Sequence, residues 1–118
     1  MITVIRNLSR GGVVAQRAMV AQGLVERAVG LLNRSSLETD EALVLPRCRS
    51  IHTWFMRMPI DVVFLRQGTV VKLAQTLGPF RLLSDWQADT VVELACGTVS
   101  RQGLRVGDQL VIPALTTP

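Results

Sequence analysis

The sequence predicts a mainly β protein, α+β by strict count: one antiparallel sandwich or partly closed barrel, jelly-roll-like, with one or two short helices. Three observations carry that expectation. Hydrophobic residues make up 48% of the 118 positions, which supplies the apolar surface that a single core needs. The apolar runs are short, β-branched and often alternating, as strands require. Turn formers interrupt them at close intervals, leaving room for about seven or eight strands and no long helix.

The elements follow in order. "ITVIRNL" (2–8) reads as a strand, and "GVVAQRAMVA" (12–21) as a second reached through the Gly11-Gly12 turn. "GLVERAVGLLNRSSL" places Leu24, Ala28, Leu31 and Leu32 at helical spacing, predicting a short helix over 23–31. Gly30 weakens it, and Asn33 suits its C-terminal end. "EALVLP" (41–46) is a short buried strand. In "SIHTWFMRMPIDVVFL" (50–65), Pro59 lacks a ladder donor, so two extended pieces are expected, 51–57 and 60–65. "VVFL-RQGT-VVKLA" is a hairpin turning at Gly68. Residues 75–89, "QTLGPFRLLSDWQAD", show no sustained period and read as a long loop of the kind that often carries function. "TVVELA" (90–95) is a buried strand and "CGTVSRQGL" one helical turn started at Gly97 or Thr98. "VGDQLVI" supplies a turn at Gly107-Asp108 and the last strand.

Composition bounds the function. With charged residues at 19%, no linker-like stretch and no repeat, residues 1–118 read as a single domain. Arg6, Arg10 and Arg17 are spread among apolar positions, unlike a signal or transit peptide. No apolar run approaches a membrane span. A soluble, cytoplasmic protein without a membrane partner is expected. Cys48 and Cys96 read as two small buried hydrophobes without a disulfide. Together with His52 they offer at most three ligands and no Cys-x-x-Cys pair, so neither a metal nor a cofactor is expected. The net charge is +4, but the arginines are scattered from Arg6 to Arg105, with one knot at Arg47, Arg49 and Arg57. Three Phe, two Trp and no Tyr leave little for base stacking, so nucleic acid is not the expected partner. The oligomeric state is open.

Two carboxylates stand out by their neighbours. Asp61 shares a strand face with Val63 and Leu65, and Glu93 with Val91 and Ala95, so each acid is directed where burial is favoured. Either each is paired or hydrogen-bonded and fixes the fold, or the two line a pocket. Arg57 is the nearest partner for Asp61 if a bulge at Pro59 switches the strand's parity. His52, Trp54 and Met56 alternate, so in an extended segment all three point one way. They form a packed face or a small ligand-binding wall. Phosphate-loop, dinucleotide, zinc-protease and nucleophile-elbow motifs are absent.

Several ordered blocks also carry a resemblance: Gly30-Leu31-Leu32 with Arg34, Ala42-Leu43, His52-Thr53 with Met56-Arg57 and Pro59-Ile60-Asp61, Glu93-Leu94 with Gly97, and Gly107-Asp108. Over about residues 12–112 the chain resembles the bacterial and archaeal family called domain of unknown function 192, or uncharacterised ACR proteins. It is most similar to the branch with a His-Thr pair ahead of Met-Arg and Pro-Ile-Asp. The resemblance implies a compact, mostly β fold of the jelly-roll or sandwich kind and no established activity. It also makes Arg34, His52, Met56, Asp61, Glu93 and Gly97 the positions of interest.

Two functions are therefore expected in competition. One is a small soluble, non-catalytic binding or accessory module for a small polar ligand or a peptide, its site formed by Arg34, His52, Met56, Arg57, Asp61 and Glu93. The other is a small hydrolase of a sugar-like or polar substrate, with Asp61 and Glu93 as acid and base. The second requires the two carboxylates to face each other across about 5 to 10 Å.

Overall fold

The computed structural model describes residues 1–21, 37–54 and 56–116. The helix expected over 23–31 and the candidate Arg34 lie outside the described residues. Among the described residues the chain forms strands β1 (Ile2–Asn7), β2 (Val13–Val20), β3 (Glu41–Pro46), β4 (Ser50–His52), β5 (Ile60–Arg66), β6 (Thr69–Leu77), β7 (Leu82–Ser84) and β8 (Thr90–Ala95). Helix α1 (Thr98–Gln102), strand β9 (Leu110–Val111) and helix α2 (Pro113–Thr116) complete it.

Seven strands make one sheet in the order β6-β5-β8-β3-β2-β1-β9, and β4 pairs with β7 in a separate two-stranded ribbon. Every pair is antiparallel except β2 with β3, where Arg17 to Val20 run beside Glu41 to Val44 in the same direction. Parallel neighbours need a long crossover, and the connection from Val20 to Glu41 supplies it. The sheet is therefore mixed, a departure from the expected all-antiparallel arrangement within an otherwise expected architecture.

The sheet curls into a half-barrel, and its two edges meet. Leu110 donates from its amide to the Gly68 carbonyl (2.8 Å), and Val70 donates to the Asp108 carbonyl (2.8 Å). These bonds bring the β9 segment against the start of β6, so part of each edge is paired rather than open. The β5–β6 hairpin turns as expected: Gln67 and Gly68 both have positive φ, 49° and 84°, the signature of a type I′ turn.

Two apolar layers result. The barrel interior gathers Ile5, Val14, Ala18, Val44, Val63, Leu65, Val92, Leu94 and Val99. The outer face of the same sheet buries Leu43, Leu45, Ile60, Val62, Phe64 and Val91 beneath Ile51, Met56 and Met58. Because β5 and β8 are covered on both faces, their runs are apolar at nearly every position rather than alternating. The ribbon contributes Ile51 and Leu83, register partners that point inward and pack against the outer layer.

Three expectations need correction. The extended piece expected over 51–57 ends at His52, because the chain bends after Thr53, whose carbonyl accepts the Met56 amide. Residues 75–89 are not one loop, since β6 runs through Leu77 and residues 82–84 form β7. Of the two cysteines only Cys48 is buried, while Cys96 is exposed, and both are free thiols.

Candidate functional site

Asp61 is fully buried and stands on the barrel-interior face, with Leu94 as its register partner. Its carboxylate accepts three backbone amides: Thr76 on Oδ1 (2.9 Å), and Gly97 (3.0 Å) and Val99 (2.9 Å) on Oδ2. Arg57, expected as its partner, is exposed instead. The local sequence explains the arrangement. Opposite Asp61 the register of β6 shifts, and Thr76 is held at φ 53°, where a β-branched residue is strained. Gly97 begins α1 at φ 92° with no capping side chain of its own. Asp61 thus caps α1 from another strand and pins the β6 bulge with the same carboxylate.

Glu93 lies on the other side of the sheet. Its register partners are Val62 and Leu43, both members of the outer layer that includes Met56. The side chain is 6% exposed, and burial raises its pKa from the ordinary value to about 7. No hydrogen bond or ion pair reaches it from the other described residues, and burial is the cause of the raised pKa. Asp61 and Glu93 point to opposite faces, because Asp61 is paired with Leu94 and Glu93 with Val62. The acid-and-base pair required for a hydrolase is not brought together.

His52 and Trp54 do project to solvent, their ring centroids 5.3 Å apart and tilted by 53°. Met56, expected to share their side, turns into the outer layer because the chain bends there, the Met56 amide donating to the Thr53 carbonyl (3.2 Å). Across the ribbon His52 pairs with Leu82. Large apolar side chains on β7 and in the segments next to the ribbon are exposed: Phe80 is 63% exposed, Leu82 67%, Trp86 78% and Trp54 39%. Thr53 ties the two halves. Its amide donates to the Arg81 carbonyl (2.9 Å), its hydroxyl donates to the Gly78 carbonyl (2.6 Å), and that hydroxyl accepts the Arg81 amide (2.9 Å). Beyond β7, Asp85 donates from its amide to the Arg49 carbonyl (2.9 Å), which fixes the start of the Trp86 turn against the other strand.

The sequence reading missed Phe80, Leu82 and Trp86. Their local signal was no more than a cluster of large apolar residues, Phe80, Leu82, Leu83 and Trp86, in a stretch without a sustained period behind Gly78-Pro79.

A second acid cluster lies elsewhere. Asp108 Oδ2 accepts from Asn7 Nδ2 (3.1 Å), Arg10 Nε (2.9 Å) and the Arg105 amide (3.1 Å). Burial alone would raise its pKa, but the hydrogen bonds from Asn7 and Arg10 outweigh it and hold the carboxyl below the ordinary range. It fastens the 105–108 turn to β1. A groove of about 470 Å³ opens near the hairpin end, lined by Pro46, Leu65, Thr90, Leu110, Ile112 and Leu115 among others. Among the described residues no three His, Cys, Asp or Glu side chains gather as a metal site. No helix among them is long and apolar enough to cross a membrane.

Comparison with known proteins places this geometry. The family model DUF192, Uncharacterized ACR, matches residues 6–112. The chain belongs to the DUF192 family. Two solved structures share the DUF192 fold seen here. One is a candidate transcription regulator from Sinorhizobium meliloti, 22% identical, with a TM-score of 0.84 over 95% of this chain and 94% of that one. The other is a protein of unknown function from Novosphingobium aromaticivorans, also 22% identical, with a TM-score of 0.79 over 94% of this chain and 84% of that one. At that identity they speak for the fold alone. No curated protein matches this DUF192 chain.

Proposed function

We propose that the protein is a non-catalytic binding or accessory module whose ligand lies along the outward face of the β4–β7 ribbon. The observation that supports this most is the exposure of Leu82 on the ribbon and of Trp54, Phe80 and Trp86 in the segments that flank it. Water-exposed apolar side chains scattered singly are ordinary, but several gathered in one region are a mark of an interaction surface. The ribbon is held rigidly beneath: Ile51 and Leu83 sink into the outer layer, Lys72 Nζ donates to the Ser84 carbonyl (3.0 Å) and Arg66 to the Gln87 carbonyl (3.3 Å). A rigid platform loses little conformational freedom when a ligand settles on it. The separation of Asp61 from Glu93 removes the alternative in which these two acids hydrolyse a substrate.

The test is mapping by NMR on the isotope-labelled protein with a panel of indole, nucleoside and short-peptide fragments. Amide shifts should cluster at residues 50–54 and 80–86. A cluster at Gln67, Asp89, Leu110 and Leu115 would move the site to the 470 Å³ groove and overturn the proposal.

A further inference from the structure

We infer that the ribbon is a platform for single-stranded nucleic acid, with bases stacking on its exposed rings and phosphates meeting the arginines that border it. The inference rests on the ribbon being the binding surface and names what it binds. The chain's composition taken alone argues against this, since it holds two Trp, three Phe and no Tyr. The fold gathers what there is: both tryptophans, the single histidine and Phe80 stand exposed on one ribbon and its flanks. Base stacking needs accessible ring faces rather than many rings, and it tolerates any sequence because every base has a π face.

Charge points the same way. Arg49, Arg57 and Arg81 are exposed on the ribbon or the loops that leave it, and none has a side-chain partner among the described residues. The ion pairs among those residues lie elsewhere, Arg10 with Asp108 and Arg17 with Asp40. From the main sheet Lys72 reaches the β7 backbone at Ser84 and Arg66 the turn beyond it at Gln87, and both add positive charge there. The acid on the ribbon is Asp85, whose Oδ1 accepts the Gln87 amide. An anionic ligand with flat apolar faces satisfies both features, whereas an apolar peptide leaves the arginines unused. Along β7 the alternate positions 82 and 84 are about 6.7 Å apart, a step that an extended strand of nucleotides can follow. A duplex hides its base faces and has no means of stacking on the rings.

Phe80 adds a second, independent observation. It is held at φ 60°, a region that costs a bulky residue free energy, yet its ring is left in water. Strain of that kind, with no burial to offset it, fits a side chain positioned for a ligand.

Because both tryptophans flank the ribbon, two residues beyond β4 and two beyond β7, and there is no tyrosine, intrinsic fluorescence reports on this region. The experiment is titration of the full chain with oligodeoxythymidylate and oligouridylate of about twelve nucleotides, within the site sizes of small single-strand binders. Emission should be quenched. With three phosphate contacts the affinity should fall about 20-fold between about 50 and about 200 mM salt. Trp86→Ala should weaken binding at least about fivefold, and Arg49→Glu with Arg81→Glu should abolish it, each with unchanged melting. Equal binding of a duplex of the same length, or full competition by heparin with no quenching, would reduce the interaction to charge and overturn the inference. A blue shift on phosphatidylglycerol vesicles without any response to oligonucleotide would overturn it in favour of a lipid surface. If oligonucleotides fail while fragments still map to the ribbon, the nucleic acid falls and the binding module stands; if neither maps, both fall.

Discussion

An ionised carboxylate placed among Val63, Leu65 and Leu94 survives burial only when donors meet its oxygens. Asp61 has three such donors on backbone atoms of β6, the β8–α1 connection and α1 itself, so its role is to hold elements together. Asp61→Asn keeps the shape but leaves one carbonyl oxygen for amides that approach from two directions. At about 1.5–3 kcal/mol for each charged hydrogen bond, the substitution should cost about 3 kcal/mol of stability by denaturant titration. An unchanged midpoint would show that Asp61 does not anchor the fold. Glu93 behaves oppositely. Its folded pKa, about 7, lies above the ordinary 4.5, so the folded protein holds a proton that the unfolded chain releases. Stability therefore falls as pH rises through that window, and the full cost, on the order of 3 kcal/mol, is present above it. Glu93→Gln should match wild type near pH 4.5 and exceed it by about that amount at pH 8. Asp108 is held below its ordinary range and contributes the reverse slope at lower pH, so the difference between the two proteins isolates Glu93. The sequence showed that both acids face apolar neighbours, because strand parity is local. It did not show that they occupy opposite faces, because that depends on a register between β5 and β8 set by the whole sheet.

Among elements, the ribbon shows where local reasoning succeeds and where it stops. Pro59 immediately precedes β5 as expected, since a residue without a donor cannot continue a central strand, but β4 ends at His52 rather than running to 57. The alternation of Ile51 and Thr53 inward with His52 and Trp54 outward is equally local. Met56 breaks it because a hydrogen-bonded bend after Thr53 ends the extended run, and nothing in residue type announces that bend. β7 is three residues long and borrows its pairing from β4, some thirty positions earlier, so its hydrogen bonds have no local signature. Its flank yields a sharp test. Phe80 occupies the left-handed region with its ring mostly in water, so Phe80→Gly relieves strain and gives up little burial. Melting should rise by the equivalent of about 1 kcal/mol while oligonucleotide affinity falls. A lower melting temperature would mean that the ring packs in the folded protein and is not reserved for a ligand.

At the scale of the molecule the sheet's closure decides what is rigid. The type and order of most strands were legible because hydrophobic pattern and turn residues are written along the chain. The meeting of β6 with β9 was not, since its bonds join residues about forty positions apart. Gly68 is the hinge of that closure. It sits at φ 84°, and a Cβ there would lie 2.9 Å from the Leu110 carbonyl oxygen, a backbone atom with no freedom to swing aside. Gly68→Ala must therefore either strain the type I′ turn or push β9 away. The left-handed conformation alone costs about 1–2 kcal/mol, and the displaced Leu110 bond adds to it, so a loss of about 2–3 kcal/mol is expected. Hydrogen exchange gives the more specific readout. The amides of Val70 and Leu110, which bridge the two edges, should lose protection, while those of the β3–β8 pair, flanked by strands on both sides, should keep it. The ribbon hangs from the outer layer through Ile51 and Leu83 and makes no bond in the β6–β9 closure. Tryptophan emission and oligonucleotide binding should therefore survive Gly68→Ala at temperatures where the variant remains folded. Loss of binding together with edge protection would show that the platform and the barrel form one cooperative unit.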